Sequence, residues 1–150
     1  MAARPADIPA VAVFDAIRRI AGAVREAISQ HLPEGVSFAQ YEVLSLLERR
    51  GDGVTPAEIA VAVQAAKSGL TNTLQRLGEA GLVRIEPCPD DRRKKLVWLT
   101  PDGRQVYVRT NAAVRPRMER LREAFTPDEF RGALPFLKAL SAWFEEQPEP

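Results

Sequence analysis

A mainly α-helical fold (α+β) with one small β-hairpin is what the sequence predicts, and three observations predict it. Apolar residues recur at spacings of three and four over much of the 150 residues. Thr-Pro pairs at Thr55, Thr100 and Thr126 mark helix starts. Two short runs of branched and aromatic residues flank a polar, proline-bearing segment and interrupt the helical spacing once. A hydrophobic content of 45% in a chain of this length can fill one core, so residues 1–150 are expected to form a single domain.

From Ile8 to about Leu32, the residues Val13, Ile17, Ile20, Val24 and Ile28 form the stripe of an amphipathic helix that stops near Pro33-Glu34-Gly35. Ser37 and Gln40 have capping-box spacing and open a second helix with Phe38, Tyr41, Leu44 and Leu47 along one stripe, ended by Gly51-Asp52-Gly53. Thr55-Pro-Ala-Glu58 begins a short third helix carrying Ile59 and Val63. Threonine accepts from first-turn amides, proline has no amide to leave unpaired, and glutamate bonds back. A fourth helix begins around Ala66, turns Leu70, Leu74 and Leu77 inward and closes at Gly81. Leu82–Glu86 and Lys95–Leu99 read as an antiparallel hairpin around the loop Pro87-Cys-Pro-Asp-Asp-Arg-Arg-Lys94. Thr100-Pro-Asp102 opens a long helix through Val106, Tyr107, Val114, Met118 and Leu121, with a bend expected at Pro116. The last helix starts at Thr126-Pro-Asp-Glu129 and carries Phe130, Leu134, Leu137, Leu140, Trp143 and Phe144, with a local distortion expected at Pro135. Residues 147–150 are expected to be disordered.

Composition narrows function. With 21 Lys+Arg against 20 Asp+Glu the net charge is +1, so charge distribution matters more than its total. Cys88 is the only cysteine and His31 the only histidine, which leaves no metal cluster or disulfide within the chain and few nucleophile-base pairs. No G-x-S-x-G or Walker loop is present, so neither an enzyme nor a cofactor is expected. No apolar run approaches the roughly 20 residues of a membrane span, and the start lacks a signal-peptide core. A soluble, cytoplasmic protein with no membrane partner is the expectation.

Helix, short helix, helix and hairpin with a basic loop is the order of a winged helix-turn-helix, whose second paired helix enters the DNA major groove. Residues 66–104 carry eight basic and five acidic side chains, a surplus of three, while the remainder is net negative. On the fourth helix Lys67, Ser68, Thr71, Asn72, Gln75 and Arg76 face outward. Asn72 and Gln75 are suited to adenine, Arg76 and Lys67 to guanine or phosphate, and the hydroxyls to short donor contacts. In the loop, Arg92, Arg93 and Lys94 suit phosphates or a narrow minor groove. Asp91 suits a positioning role, paired to Arg76 or Arg93, because a carboxylate facing phosphate is repelled. Spacing does not decide between Arg92 and Arg93 as the inserted residue. The alternative is a winged-helix protein-interaction module without sequence-specific DNA binding; it calls for an apolar recognition face, which these residues are not.

In this region the sequence resembles the MarR family of bacterial transcriptional regulators. The resemblance is carried by Ser37-Phe-Ala-Gln-Tyr-Glu-Val-Leu44, Thr55-Pro-Ala-Glu-Ile-Ala60, Leu70-Thr71 through Arg76-Leu77, Gly81-Leu-Val83, Asp91-Arg92-Arg93 and Leu99-Thr100-Pro-Asp-Gly103. It implies a homodimer, a winged-helix DNA-binding region over 37–103 and a helical dimerisation region over 8–33 and 104–146. It also implies a wing arginine in the minor groove and repression relieved by a small, often aromatic acidic ligand. The operator would be double-stranded, pseudo-palindromic DNA. Asp91, Arg92 and Arg93 take the wing positions, and Thr71 and Arg76 match the recognition-helix pattern. Gly78 and Ile85-Glu86 depart from that pattern.

Phe14, Phe125, Phe130, Phe136, Trp143 and Phe144 lie in the flanking helices and suit core packing or a dimer interface. The resemblance places Phe38 and Tyr41 at one wall of an effector pocket, although helix-core packing suits both. His31 suits the negative end of the first helix better than a ligand role. Cys88 has no resolving thiol partner in the chain.

Overall fold

A computed structural model describes residues 9–51 and 53–147. The elements run α1 (Pro9–Ser29), α2 (Phe38–Arg50), α3 (Pro56–Ala62), α4 (Lys67–Glu79), β1 (Val83–Pro87), β2 (Lys95–Leu99), α5 (Pro101–Ala124) and α6 (Pro127–Glu146). The six expected helices and the hairpin are in place. Ile8, the expected first residue of α1, and residues 148–150 of the expected disordered tail lie outside the described residues.

The chain forms two compact units divided after Ala113. The first holds α1 to α4, the hairpin and the first half of α5; the second holds the end of α5 and α6. Pro116 and Pro135 lie inside α5 and α6 without dividing either helix.

Local chemistry explains where the helices begin. Ser37, Thr55 and Thr126 each accept from the backbone amide three residues on, while Gln40, Glu58 and Glu129 bond back to the cap residue's amide. Gly51, at φ 74°, ends α2 with its amide on the Leu47 carbonyl. The turn between α3 and α4 is less conventional. Gln64 adopts φ 51°, and the Ala65 amide returns to the Ala60 carbonyl, so a glutamine occupies the left-handed position that glycine usually fills.

The core of the first unit is built from Val43, Leu44, Leu46 and Leu47 of α2, Ile59 of α3, Leu70, Leu74 and Leu77 of α4, and Val54, Leu82, Val83 and Val97 around the hairpin. α2 packs on α1, α3, α4 and β2. That central place is why Gln40, Val43 and Leu46 are buried beside the expected Tyr41, Leu44 and Leu47: a helix surrounded on several sides buries more than one stripe.

β1 and β2 pair antiparallel, with Val83 opposite Leu99 and Ile85 opposite Val97. Val54 adds an isolated bridge to Val97 through two backbone hydrogen bonds of 3.1 and 2.8 Å, tying the segment between α2 and α3 to the hairpin.

Candidate DNA interface

α4 is fixed by burial of Leu70, Leu74 and Leu77, one side of the helix at spacings of four and three. The opposite side presents Lys67, Ser68, Thr71, Asn72, Gln75 and Arg76, all exposed. Two of these are already engaged. The Thr71 hydroxyl donates to the Lys67 carbonyl at 3.0 Å, and Gln75 Nε2 donates to Glu79 at 3.0 Å. Lys67, Ser68, Asn72 and Arg76 make no side-chain hydrogen bond or ion pair among the described residues. The surface is polar and cationic, and it is rigidly backed.

The wing tip is a turn whose chemistry follows from Asp91. The Lys94 amide donates to the Asp91 carbonyl at 2.9 Å, which makes Arg92 and Arg93 the two central residues of a four-residue turn. Asp91 Oδ1 accepts from the Arg93 amide at 3.1 Å and from Arg93 Nε at 3.3 Å. An aspartate that bonds its own backbone two residues on stabilises such a turn. Of the two partners open to Asp91, the structure gives Arg93. The pairing uses Nε at the root of the guanidinium and leaves the Arg93 side chain 93% exposed. Arg92 turns toward a shallow depression with Glu86, Pro87, Cys88 and Pro89.

Other cations of the basic region are committed elsewhere. Arg84 pairs with Glu86 at 2.6 Å and lies over the Trp98 ring, and Arg104 pairs with Glu48 at 2.8 Å. Among the described residues, Lys67, Arg76, Arg92, Lys94 and Lys95 are the cations of this region outside any ion pair, and Arg93 is paired with Asp91. Glu58, at the start of α3, is held below the usual carboxylate range by hydrogen bonds from the Thr55 amide and hydroxyl, with lesser help from the Arg50 and Lys94 charges.

α4 and the wing share one support. α4 packs directly on β1, and the Leu77, Leu82, Val83 and Val97 side chains lie in one buried cluster. At the hairpin's other end, Thr100 donates its hydroxyl to the Gly81 carbonyl at 2.7 Å and accepts from the Gly103 amide at 3.1 Å. Gly103 is buried so tightly that a Cβ there would sit 2.0 Å from the Leu82 carbonyl oxygen. The Leu-Thr-Pro-Asp-Gly run is thus the joint that fixes α5 to the base of the wing.

A family model described as the MarR family matches residues 34–94, which takes in α2 to the wing turn. The chain is 32% identical over 93 residues to the HTH-type transcriptional regulator YdgG of Bacillus subtilis, covering 61% of this chain and 60% of that protein. A crystal structure of a MarR-family transcriptional regulator from Silicibacter pomeroyi superposes with a TM-score of 0.74 at 29% identity, over 85% of this chain and 86% of that one. Over residues 34–94 the chain is similar to the MarR family. A further structure, that of Bordetella bronchiseptica BpsR, matches with a TM-score of 0.71 at 25% identity over 86% of this chain and 98% of its own; its DNA binding is regulated by 6-hydroxynicotinic acid. The relatives named are transcriptional regulators, not enzymes. Among the described residues, no helix is long and apolar enough to cross a membrane, and no group of three His, Cys, Asp or Glu is placed to hold a metal.

The remaining sequence-derived candidates fall in two places. Phe14, Phe125, Phe130, Phe136, Trp143 and Phe144 are all more than 40% exposed. Within the second unit Phe125 meets Phe130 edge-on, and Trp143 meets Phe144 likewise. Phe38 and Tyr41 adjoin one another at the start of α2, with Arg25 of α1 5.2 Å above the Phe38 ring and Tyr107 of α5 stacked on Tyr41. Arg25, Glu42 and Tyr107 were not singled out from the sequence, because their relation to Phe38 and Tyr41 joins positions far apart in the chain. Burial raises the pKa values of both Tyr41 and Glu42, against the opposing Arg25 charge at Glu42.

Proposed function

We propose that the chain is a homodimeric repressor that binds a pseudo-palindromic operator, with α4 in the major groove and the Arg93-tipped wing in the flanking minor groove. The observation that carries this reading is the pairing of Asp91 with Arg93. It braces the guanidinium root against the turn and leaves its outer nitrogens free, on the same buried core that supports α4. A pre-positioned arginine suits the strong negative potential of a narrow minor groove. Lys67, Ser68, Thr71, Asn72, Gln75, Arg76, Arg92 and Lys94 supply the base-edge and phosphate contacts. The exposed apolar faces of α1, α5 and α6 supply the dimer interface, since a face of that kind is stabilised by burial against a second copy.

A cleft of about 500 Å³ lined by Ala21, Gly22, Val24, Arg25, Phe38 and Glu42 is the effector site of this reading. Arg25 offers a cation and Phe38 a ring face, which together suit a small aromatic acid. The relative BpsR, regulated by 6-hydroxynicotinic acid, supports that ligand class.

Fluorescence anisotropy with the DNA upstream of the chain's own gene tests the reading. Wild type should bind with an affinity that falls steeply with salt. Arg93→Ala should lose about 1–3 kcal/mol of binding free energy, and 6-hydroxynicotinic acid should release wild type but not Arg25→Met. Absence of salt-dependent binding, or an unchanged Arg93→Ala affinity, would contradict it.

A further inference from the structure

A second cleft, of about 240 Å³, lies between the turn after α1 and the first half of α5, lined by His31, Pro33, Gln105, Val106, Arg109 and Thr110. It belongs wholly to the first compact unit and shares no lining residue with the Arg25–Phe38 cleft. Thr110 is 1% exposed, and its hydroxyl is the only buried side-chain polar atom among the described residues without a hydrogen-bond partner. Folded proteins seldom leave such a group unpaired, because its hydrogen bond to water is lost and not replaced. Arg109 pairs with no carboxylate among the described residues, and Gln105 lies one helical turn before it on the same side of α5.

The lining has a consistent chemical sense. Guanidinium, carboxamide, imidazole and hydroxyl groups can all donate, and no carboxylate is among them. Pro33 and Val106 add an apolar wall. Convergent donors around a guanidinium select an oxyanion, and the planar fork of arginine suits a carboxylate particularly well.

We propose that this cleft is a second ligand site that binds a small oxyanion, either an organic carboxylate or inorganic phosphate, through Arg109 and the Thr110 hydroxyl, with Gln105 and His31 completing the shell. An occupant would tie the α1–α2 turn to α5, the helix joined to the wing base through Thr100 and Gly103. That regulatory consequence rests on the DNA-binding reading; the binding itself does not, and it is measured without DNA.

Isothermal titration of the full chain with sodium acetate, and separately with inorganic phosphate at matched ionic strength, tests the proposal. At least one anion should bind saturably, with Kd raised about tenfold or more in Arg109→Met and in Thr110→Val, and unchanged in Arg18→Met, whose side chain pairs with Asp15 outside both clefts. An acetate response alone identifies an organic carboxylate, and a phosphate response alone identifies the inorganic ion. Thr110→Val replaces an unpaired buried hydroxyl with a methyl of the same shape, so without anion it should melt no lower than wild type. Saturation by neither anion up to about 10 mM, or wild-type affinity in both cleft variants, would overturn the proposal.

Discussion

Thr100 and Gly103 show how single atoms hold α4, the hairpin and α5 in register. Thr100 links the end of α4 to the start of α5 through one hydroxyl, and Gly103 lets the Leu82 carbonyl approach a helix backbone. Because the obstacle to a Cβ at Gly103 is backbone, with Leu99 Cδ1 a further 2.9 Å contact, relief requires the wing base to move. Gly103→Ala should therefore cost about 2–4 kcal/mol, within the range of core overpacking and strain, read as a lowered urea midpoint. An unchanged midpoint would show that the joint is softer than its geometry implies. Asp91 has a different reach: it shapes an exposed turn, so its removal should alter the wing rather than the core. Its identity was legible from the sequence as a positioning residue, but the choice between Arg76 and Arg93 as partner needed the turn geometry.

Among the elements, what could be read in advance is what local spacing controls. Three capping boxes involve residues three apart, and the α4 face follows from a single buried stripe, so both were visible as patterns. The breadth of α2 burial, the Val54 bridge and the Arg25–Phe38 contact arise from packing between distant segments, and no short window contains them. The α3–α4 turn was hidden for another reason: Gln64 takes a left-handed conformation without the glycine that would announce it. The caps also carry a charge-dependent prediction. Hydrogen bonds from Thr55 lower the Glu58 pKa from its ordinary 4.5, so the charge on this cap stabilises the fold fully above 4.5 and ceases to do so as pH falls through the lowered value. Glu129 follows the same sign through Thr126, whereas the raised pKa of half-buried Glu42 acts oppositely, its contribution being lost as pH rises. Urea midpoints of wild type and Glu58→Gln should differ near neutral pH and converge in acid. A difference independent of pH would assign the cap's effect to hydrogen-bond geometry alone.

For the molecule as a whole, two kinds of surface divide the work. The first unit carries a polar, cationic face backed by a dense core, while α6 is exposed along nearly its whole length despite Phe130, Leu134, Phe136, Leu137, Trp143 and Phe144. Sequence spacing marked those residues as apolar but not what covers them, since core and interface share one chemistry. A second copy over these faces would place two α4 helices on one duplex, about 34–36 Å apart along successive major grooves. Hydroxyl-radical footprinting on the DNA upstream of the chain's own gene tests this arrangement most directly. Two related protected windows about 10 base pairs apart are expected, each flanked by a minor-groove protection that disappears in Arg93→Ala. A single window, or flanking protection that persists in Arg93→Ala, would contradict it.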